Sequence, residues 1–426
     1  MTDTKAIEVR VSPVGKAEDG RWSIFERAPG LLNGLRSLSG DLTIGTIGQG
    51  LVAGIFGTAV SLVILNGATK AGLGPTEATS WIFGVYFIGG LVTILVALIY
   101  RQPISFSWSI PGTALVVAAL KDYSFAQLIG AYLIVAALVT TIALTGVVGR
   151  IVKYLPFPIV VAMIGGILLQ FAIGVVGASQ AQPVIVGAAI IGYFLTAKVL
   201  KKVPGVLGAL VFGAVAAFLA GKLNFGSIEL HLVMPTATAP DWSSSVILSV
   251  AVPLALLIIC AENTKGVGIL LSAGYVPPTN SMLFASGIGT LFSGMFGGHN
   301  LNVAGPMTAI CSSPQAGNIG TRYAASVVQG VIYVAFGLVA SMAVSTVRAL
   351  PSELVGAVAG LAMITPLVVA LNAAFAAGKF QVGALVSLVV ASTSLTIFGI
   401  GSPLWALAIG TLASWIVEPE SFRAET

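Results

Sequence analysis

The chain has 426 residues, 57% of them hydrophobic and only 8% charged, where an ordinary soluble domain is about a quarter charged. A chain this long and this apolar cannot hide its hydrophobic residues in one water-facing core, because single cores stop growing with size. A cytosolic enzyme and a secreted domain are excluded, and a polytopic helical membrane protein is implied. The net charge of +5 then reports on topology and implies no nucleic acid. Cys260 and Cys311 both lie inside apolar stretches, so no disulfide framework is expected.

In chain order, residues 1–40 are polar and carry no early apolar run, so no cleavable leader is expected and the first span inserts and stays. Trp22 and Phe25 in this tail would rest on the membrane surface or belong to a mostly mobile arm. Runs near twenty apolar residues place spans at about 43–66, 79–100, 125–149, 157–177, 184–200, 205–221, 246–272, 281–297, 322–347, 352–371, 383–399 and 402–417. Two further stretches, 104–120 and 300–313, are apolar but broken by Pro and Gly. Counting them gives fourteen segments.

Cation placement tests that count. With a cytoplasmic N-terminus and one crossing per segment, fifteen Lys and Arg fall inside, and Lys70, Lys121, Lys222 and Arg348 fall outside. Lys265 is left at membrane depth. An inside excess of cations sets orientation, so both termini are expected to be cytoplasmic. The loop Asn224–Ser245, with Pro235 and Pro240, joins two halves of seven segments each.

The two broken stretches match. One reads Phe106-Ser107-Trp108-Ser109-Ile110-Pro111-Gly112-Thr113-Ala114, the other Leu301-Asn302-Val303-Ala304-Gly305-Pro306-Met307-Thr308-Ala309. Each has a strand-like approach, a Pro/Gly pair, then Thr-Ala and an apolar helical run. Each is the third segment of its half, and seven is odd, so the second half enters inverted. Interrupted segments at corresponding positions point to a transporter binding site. Pro suits the first turn of a helix, and the extended residues before it must pair with protein because lipid offers them nothing. Two helix N-termini facing one midplane cavity would attract an anion or an acceptor-rich solute. Two ordinary Pro-kinked helices are the plainer alternative.

Of fifteen acids, fourteen fall in tails, loops or span ends, with Asp41 expected to cap the first span. Only Glu262 lies within a span. A carboxylate there costs about 2.5–3.5 kcal/mol or more and is functional by default. Lys265, three residues on, shares its helix face. The pair would lock helices together, or Glu262 would carry a proton while Lys265 neutralises a substrate charge. His299 would join a proton path or serve as a cap, and His231 would be solvated. Phe106, Trp108 and Phe296 would form a stacking wall or plain packing. Gly50, Gly54 and Gly57 share a face suited to close helix packing. Asn302 stands beside the second helix start. The sequence carries no phosphate loop, metal cluster or nucleophile–base pair that would suggest an enzyme.

Three motifs together, Ser109–Leu115, Ala261-Glu262-Asn263-Thr264-Lys265-Gly266 and Gly305–Ile310, resemble the benzoate:proton symporter family of bacteria over about 42–417. That family is similar in architecture to the nucleobase permeases and to anion carriers of the same plan. The resemblance implies an all-α polytopic membrane protein of fourteen transmembrane segments in a 7+7 inverted repeat. Segments 3 and 10 would each be a short strand plus a half-helix. It implies a cytoplasmic tail at 1–41, a core domain at 42–150 and 246–348, a gate domain at 151–223 and 349–417, a periplasmic loop at 224–245 and a C-terminal tail at 418–426. The core would move against the gate, often within a homodimer, in the bacterial inner membrane.

Glu262 matches the eighth-span acid of the permeases, which helps bind substrate and couple protons, and Phe106 or Trp108 would pack on the substrate ring. Where permeases often carry a second acid this chain has Asn302, and Gly266 beside Lys265 replaces their histidine. Both departures suit an anion. The leading expectation is therefore proton-coupled uptake of benzoate or a related aromatic carboxylate, with protons as coupling ion and no cofactor. The carboxylate would sit between the helix starts at Pro111 and Gly305, bonded by amides around Gly112, Thr113, Met307 and Thr308. A nucleobase or inorganic-anion transporter and a passive anion channel are the competing readings.

Overall fold

Hydrocarbon offers backbone amides no water, so a chain this apolar must satisfy them within its own elements, and it does so almost entirely with helices. The computed structural model describes residues 25–146, 156–200, 203–224, 236–376, 378–393, 395–398 and 400–422, with 15–16, 22–23 and 234. The side chain of Trp22, Pro235 and His231 lie outside the described residues. The helices are α1 (Leu31–Asp41), α2 (Ile44–Lys70), α3 (Pro75–Tyr100), α4 (Ile110–Ala119), α5 (Phe125–Thr145), α6 (Phe157–Ala181), α7 (Pro183–Val199) and α8 (Gly205–Leu219). They continue with α9 (Ser244–Ser272), α10 (Thr279–Met295), α11 (Gly305–Ser312), α12 (Tyr323–Leu338), α13 (Ala340–Arg348), α14 (Ser352–Phe375), α15 (Gln381–Ala391) and α16 (Ser402–Val417). Among the described residues, six of these, α2, α3, α5, α6, α9 and α14, are long and apolar enough to cross a membrane. The pair α12 and α13, bent by 64°, makes a seventh.

Local chemistry sets the helix starts. Ser124 and Gln127 form a capping box at the head of α5, which ends on Gly146 in the left-handed region at φ 65°. Thr43 and Thr46 form the box that starts α2. Asp41 is therefore not the cap of the first span, contrary to expectation. It is the last residue of α1, and its carboxylate takes Arg101 at 3.0 Å and the Tyr323 hydroxyl at 2.8 Å. The end of the tail is docked: Phe25 meets Phe284 edge-on at 4.9 Å. Glu26 accepts the backbone N–H groups of Asn280 and Ser281 at 2.7 and 3.1 Å, where the free amides of a helix start favour a carboxylate.

Two groups of helices pack internally. α2 and α3 hold α12, while α5 holds α10; α6 gathers α14 and α15, and α7 lies along α8. Glycines let α2 and α12 approach closely, since a Cβ on Gly50, Gly54 or Gly57 would run into Val328, Ile332 or Tyr333. The groups meet mainly where α6 packs on α4 and α14 on the last turns of α2, toward Lys70 and Lys121. Against α3, α9 and α10 run two two-residue strands, β1 (Phe106–Ser107) and β2 (Asn302–Val303), paired antiparallel with Phe106 opposite Val303 and Ser107 opposite Asn302.

Candidate functional site

Strands this short leave edge amides unpaired, and side chains take the place of further strands. Thr93 Oγ1 accepts from Phe106 N at 2.8 Å, Thr290 Oγ1 from Leu301 N at 2.9 Å and Asn263 Oδ1 from Val303 N at 3.1 Å. Ala304 N donates to Ser105 O at 2.8 Å across the pair. The crossing is thereby built into α3, α9 and α10, and each strand delivers the chain to a helix start, α4 from β1 and α11 from β2.

At the head of α4 every polar atom of Ser109 is used. Its Oγ caps the helix by accepting Gly112 N at 3.0 Å and donates to Glu262 Oε1 at 3.3 Å. Its N–H donates to Asn300 Oδ1 at 3.3 Å, and its carbonyl accepts the Thr113 hydroxyl at 3.1 Å. Glu262 arrives from α9, where the stretch Leu257–Glu262 is wound as a π-helix, a distortion common at functional sites. Its second oxygen, Oε2, takes Lys265 Nζ at 3.0 Å. Glu262 keeps only 7% of its side chain exposed and Lys265 keeps 43%. A buried carboxylate of this kind persists when it is paired and hydrogen-bonded, and both conditions hold.

The head of α11 differs. Ala304 at its N-cap has no side-chain oxygen to offer. Lys265 runs beside it: a Cβ on Gly305 would lie 4.0 Å from Lys265 Cβ. Thr264, Lys265, Pro306 and Ala309 are exposed together. Lys265 and Pro306 thus share one exposed face, with Gly305 and Met307 of the uncapped first turn buried directly beneath it, an arrangement that can receive an anion.

The family model of the benzoate membrane transport protein matches residues 40–416. The chain belongs to this family. It is 29% identical to the inner membrane protein YdcO of Escherichia coli (strain K12), over 86% of this chain and 94% of that one. It is 27% identical to the benzoate membrane transport protein of Acinetobacter baylyi, over 90% and 98%. Among solved structures it shares its fold with the transmembrane domain of the cyanobacterial bicarbonate transporter BicA (TM-score 0.58, 18% identity, 86% of this chain and 97% of that one). It also shares it with the murine Solute Carrier 26 family member A9 anion transporter (TM-score 0.64, 15% identity, 91% and 70%). Membership makes the protein a membrane transporter rather than an enzyme.

Against this family background the expected site residues divide. Glu262, Lys265, Gly305 and Met307 come together around the start of α11, with Pro111 and Gly112 across from Glu262 beside Ser109. Others are spent on structure. Gly112 N is held by Ser109 Oγ, Thr113 N by Ser109 O and Thr308 N by Ala304 O, so these amides are not free to bind a carboxylate. Thr308 Oγ1 accepts Ser105 N at 3.3 Å. Asn302 is buried, accepting from Asn300 Nδ2 at 2.6 Å and donating to its neighbour's carbonyl on Val303 at 3.1 Å.

The aromatics form no wall of an open pocket. Phe106 is wholly buried among Ile104, Leu270, Met282 and Val303, and Trp108 is packed edge-on against Tyr86 and His299. Phe296 meets Phe83 edge-on at 5.3 Å. Sequence reasoning missed Ser109 and Asn300 as site residues. The first carried a legible signal, a serine three residues ahead of a helical glycine and just before proline. The second carried none, because its role is set by a partner 191 residues away.

Proposed function

We propose that the protein is a secondary active importer of benzoate or a close aromatic carboxylate, moving one proton with each anion. The contact between Lys265 and Glu262 carries this reading. A substrate carboxylate approaching the open face competes with Glu262 for Lys265 and takes the uncapped amides at the start of α11. Glu262, left without its cation in an apolar site, is neutralised by a proton, since an isolated buried charge is very costly. Before binding, the site holds Lys⁺ and Glu⁻. Afterwards it holds Lys⁺, the substrate anion and a neutral carboxylic acid. The site is neutral either way, so it crosses the apolar barrier loaded or empty but not half-loaded.

In this reading the chain crosses fourteen times as two inverted sevens, with α4 and α11 as half-spanning helices and both termini cytoplasmic. Residues 42–150 and 246–348 form the moving core and 151–223 with 349–417 the gate. Packing of α6 and α14 toward the Lys121 end, with Lys265 and Pro306 exposed, supports a state open toward the cytoplasm.

The test is uptake of labelled benzoate by proteoliposomes under an imposed pH gradient. Accumulation above equilibrium that collapses with a protonophore is expected, and Glu262→Gln is expected to equilibrate benzoate without concentrating it. Gradient-driven accumulation by Glu262→Gln would overturn the coupling role, and uptake blind to protonophore would leave a passive channel. Inhibition by sulfate, bicarbonate or uracil in place of aromatic acids would move the substrate to the inorganic-anion or nucleobase class.

A further inference from the structure

His299 is wholly buried just ahead of β2, and the function proposed above makes no use of it. Trp81 on α3 donates its indole N–H to His299 Nδ1 at 3.1 Å. An indole nitrogen only donates, so Nδ1 presents a lone pair and the ring proton sits on Nε2. Nε2 lies 2.9 Å from Thr113 Oγ1 and 3.3 Å from Ser109 O. The Thr113 hydroxyl hydrogen points at that same carbonyl, 3.1 Å away, leaving its lone pair to accept from Nε2. Each bond has one permitted direction.

The surroundings of the ring add no charge. Trp81, Trp108 and Tyr132 present rings around it with centroids 5.8, 6.0 and 6.5 Å away. Tyr132, from α5, is the one titratable side chain among these contacts. Among the described residues Glu262, from α9, is linked to the ring through Ser109, and Lys265 lies beyond Glu262. A second ring proton would have to enter at Nδ1, against the Trp81 N–H.

We infer that His299 is a permanently neutral, Nε2-protonated positioning residue that holds Ser109 and Thr113 in place, and through Ser109 aims Glu262, without carrying the transported proton. It ties α3, β2 and the head of α4 into one unit, so that the coupling carboxylate faces a fixed hydroxyl. The tautomer is independent of the proposed function, whereas the positioning role rests on it.

The chain has two histidines, so ¹⁵N-histidine labelling of the His231→Asn protein isolates one ring. A bare Nδ1 and a protonated Nε2 are expected, unchanged between about pH 5 and pH 8, where an ordinary histidine titrates. Double protonation in that window, or a proton on Nδ1, overturns the inference. In transport, His299→Gln retains an N–H donor and is expected to keep the wild-type pH profile. His299→Ala, which strands the partners of a buried hydrogen bond and loosens Ser109, is expected to lower thermal stability and to shift the pH profile in the same direction as Ser109→Ala, with KM nearly intact. A profile flattened by His299→Gln would place the proton on this ring and overturn the inference. If that variant does not fold, the resonance measurement decides. If the wild-type protein shows no proton-coupled uptake, the function fails while the tautomer is still read.

Discussion

The two Pro-interrupted segments share a backbone plan and differ in what they leave free. Aligned on Thr113 and Thr308, Ser109 of the first corresponds to Ala304 of the second. In the first the serine hydroxyl caps α4 and reaches Glu262. In the second the cap position has only a methyl group, and α11 opens beside Lys265 with Pro306 exposed. One terminus is capped by a side chain and the other is not. The shared backbone plan thus supplies the strand crossing, and one hydroxyl group present on one side only makes the two helix starts unlike.

Substitutions test that contrast, beginning with the cation beside the start of α11. Lys265→Met removes it and is expected to raise KM for benzoate about thirtyfold, the value of a charge-assisted hydrogen bond near 2 kcal/mol. A KM within twofold of wild type would detach the anion from α11. Ala304→Ser gives the second terminus the cap of the first. It should raise thermal stability by up to about 1 kcal/mol while weakening benzoate uptake several-fold, because the new hydroxyl competes for the same amides; unchanged KM in a stabilised protein would argue against anion binding there.

Ser109→Ala removes the cap of α4. A loss of about 1 kcal/mol is expected in thermal unfolding, with a shifted pH profile and KM nearly intact. The smallest effect belongs to Phe106→Leu. As the loss of part of a buried ring it should cost about 1 kcal/mol of stability and leave KM alone, whereas a tenfold rise in KM would return Phe106 to the substrate ring.

Much of the fold is legible from composition and spacing. Apolar runs mark the spans, the Pro-Gly pairs mark where helices restart, and Gly50, Gly54 and Gly57 mark a close helix contact. The ion pair was legible too, because Glu262 and Lys265 sit three apart on one helix and no other acid lies in the interior of an apolar run. What the sequence leaves hidden has a common cause. Thr113, Thr308, Asn302 and Phe106 looked available because their partners, His299, Ser105, Asn300 and Leu270, lie in other elements or depend on a turn. A donor or a ring in sequence carries no sign of whether the fold has already consumed it. Asp41 failed in the same way: an acid before a span suggests a cap, but Arg101 and Tyr323 claim it.

What the linear chain settles alone is local or summed over the whole: the membrane as solvent, the breaks at Pro111 and Pro306, and one acid with one lysine a helical turn away. Hydrophobicity is additive and helix periodicity is short-ranged, so neither needs distant contacts. Which helix start stays open, which amides are spent and which nitrogen of His299 bears the proton depend on pairs such as Trp81 with His299 and Ser109 with Asn300, more than 190 residues apart. Hydrogen-bond direction is a property of the pair and exists only once the chain has folded the two together.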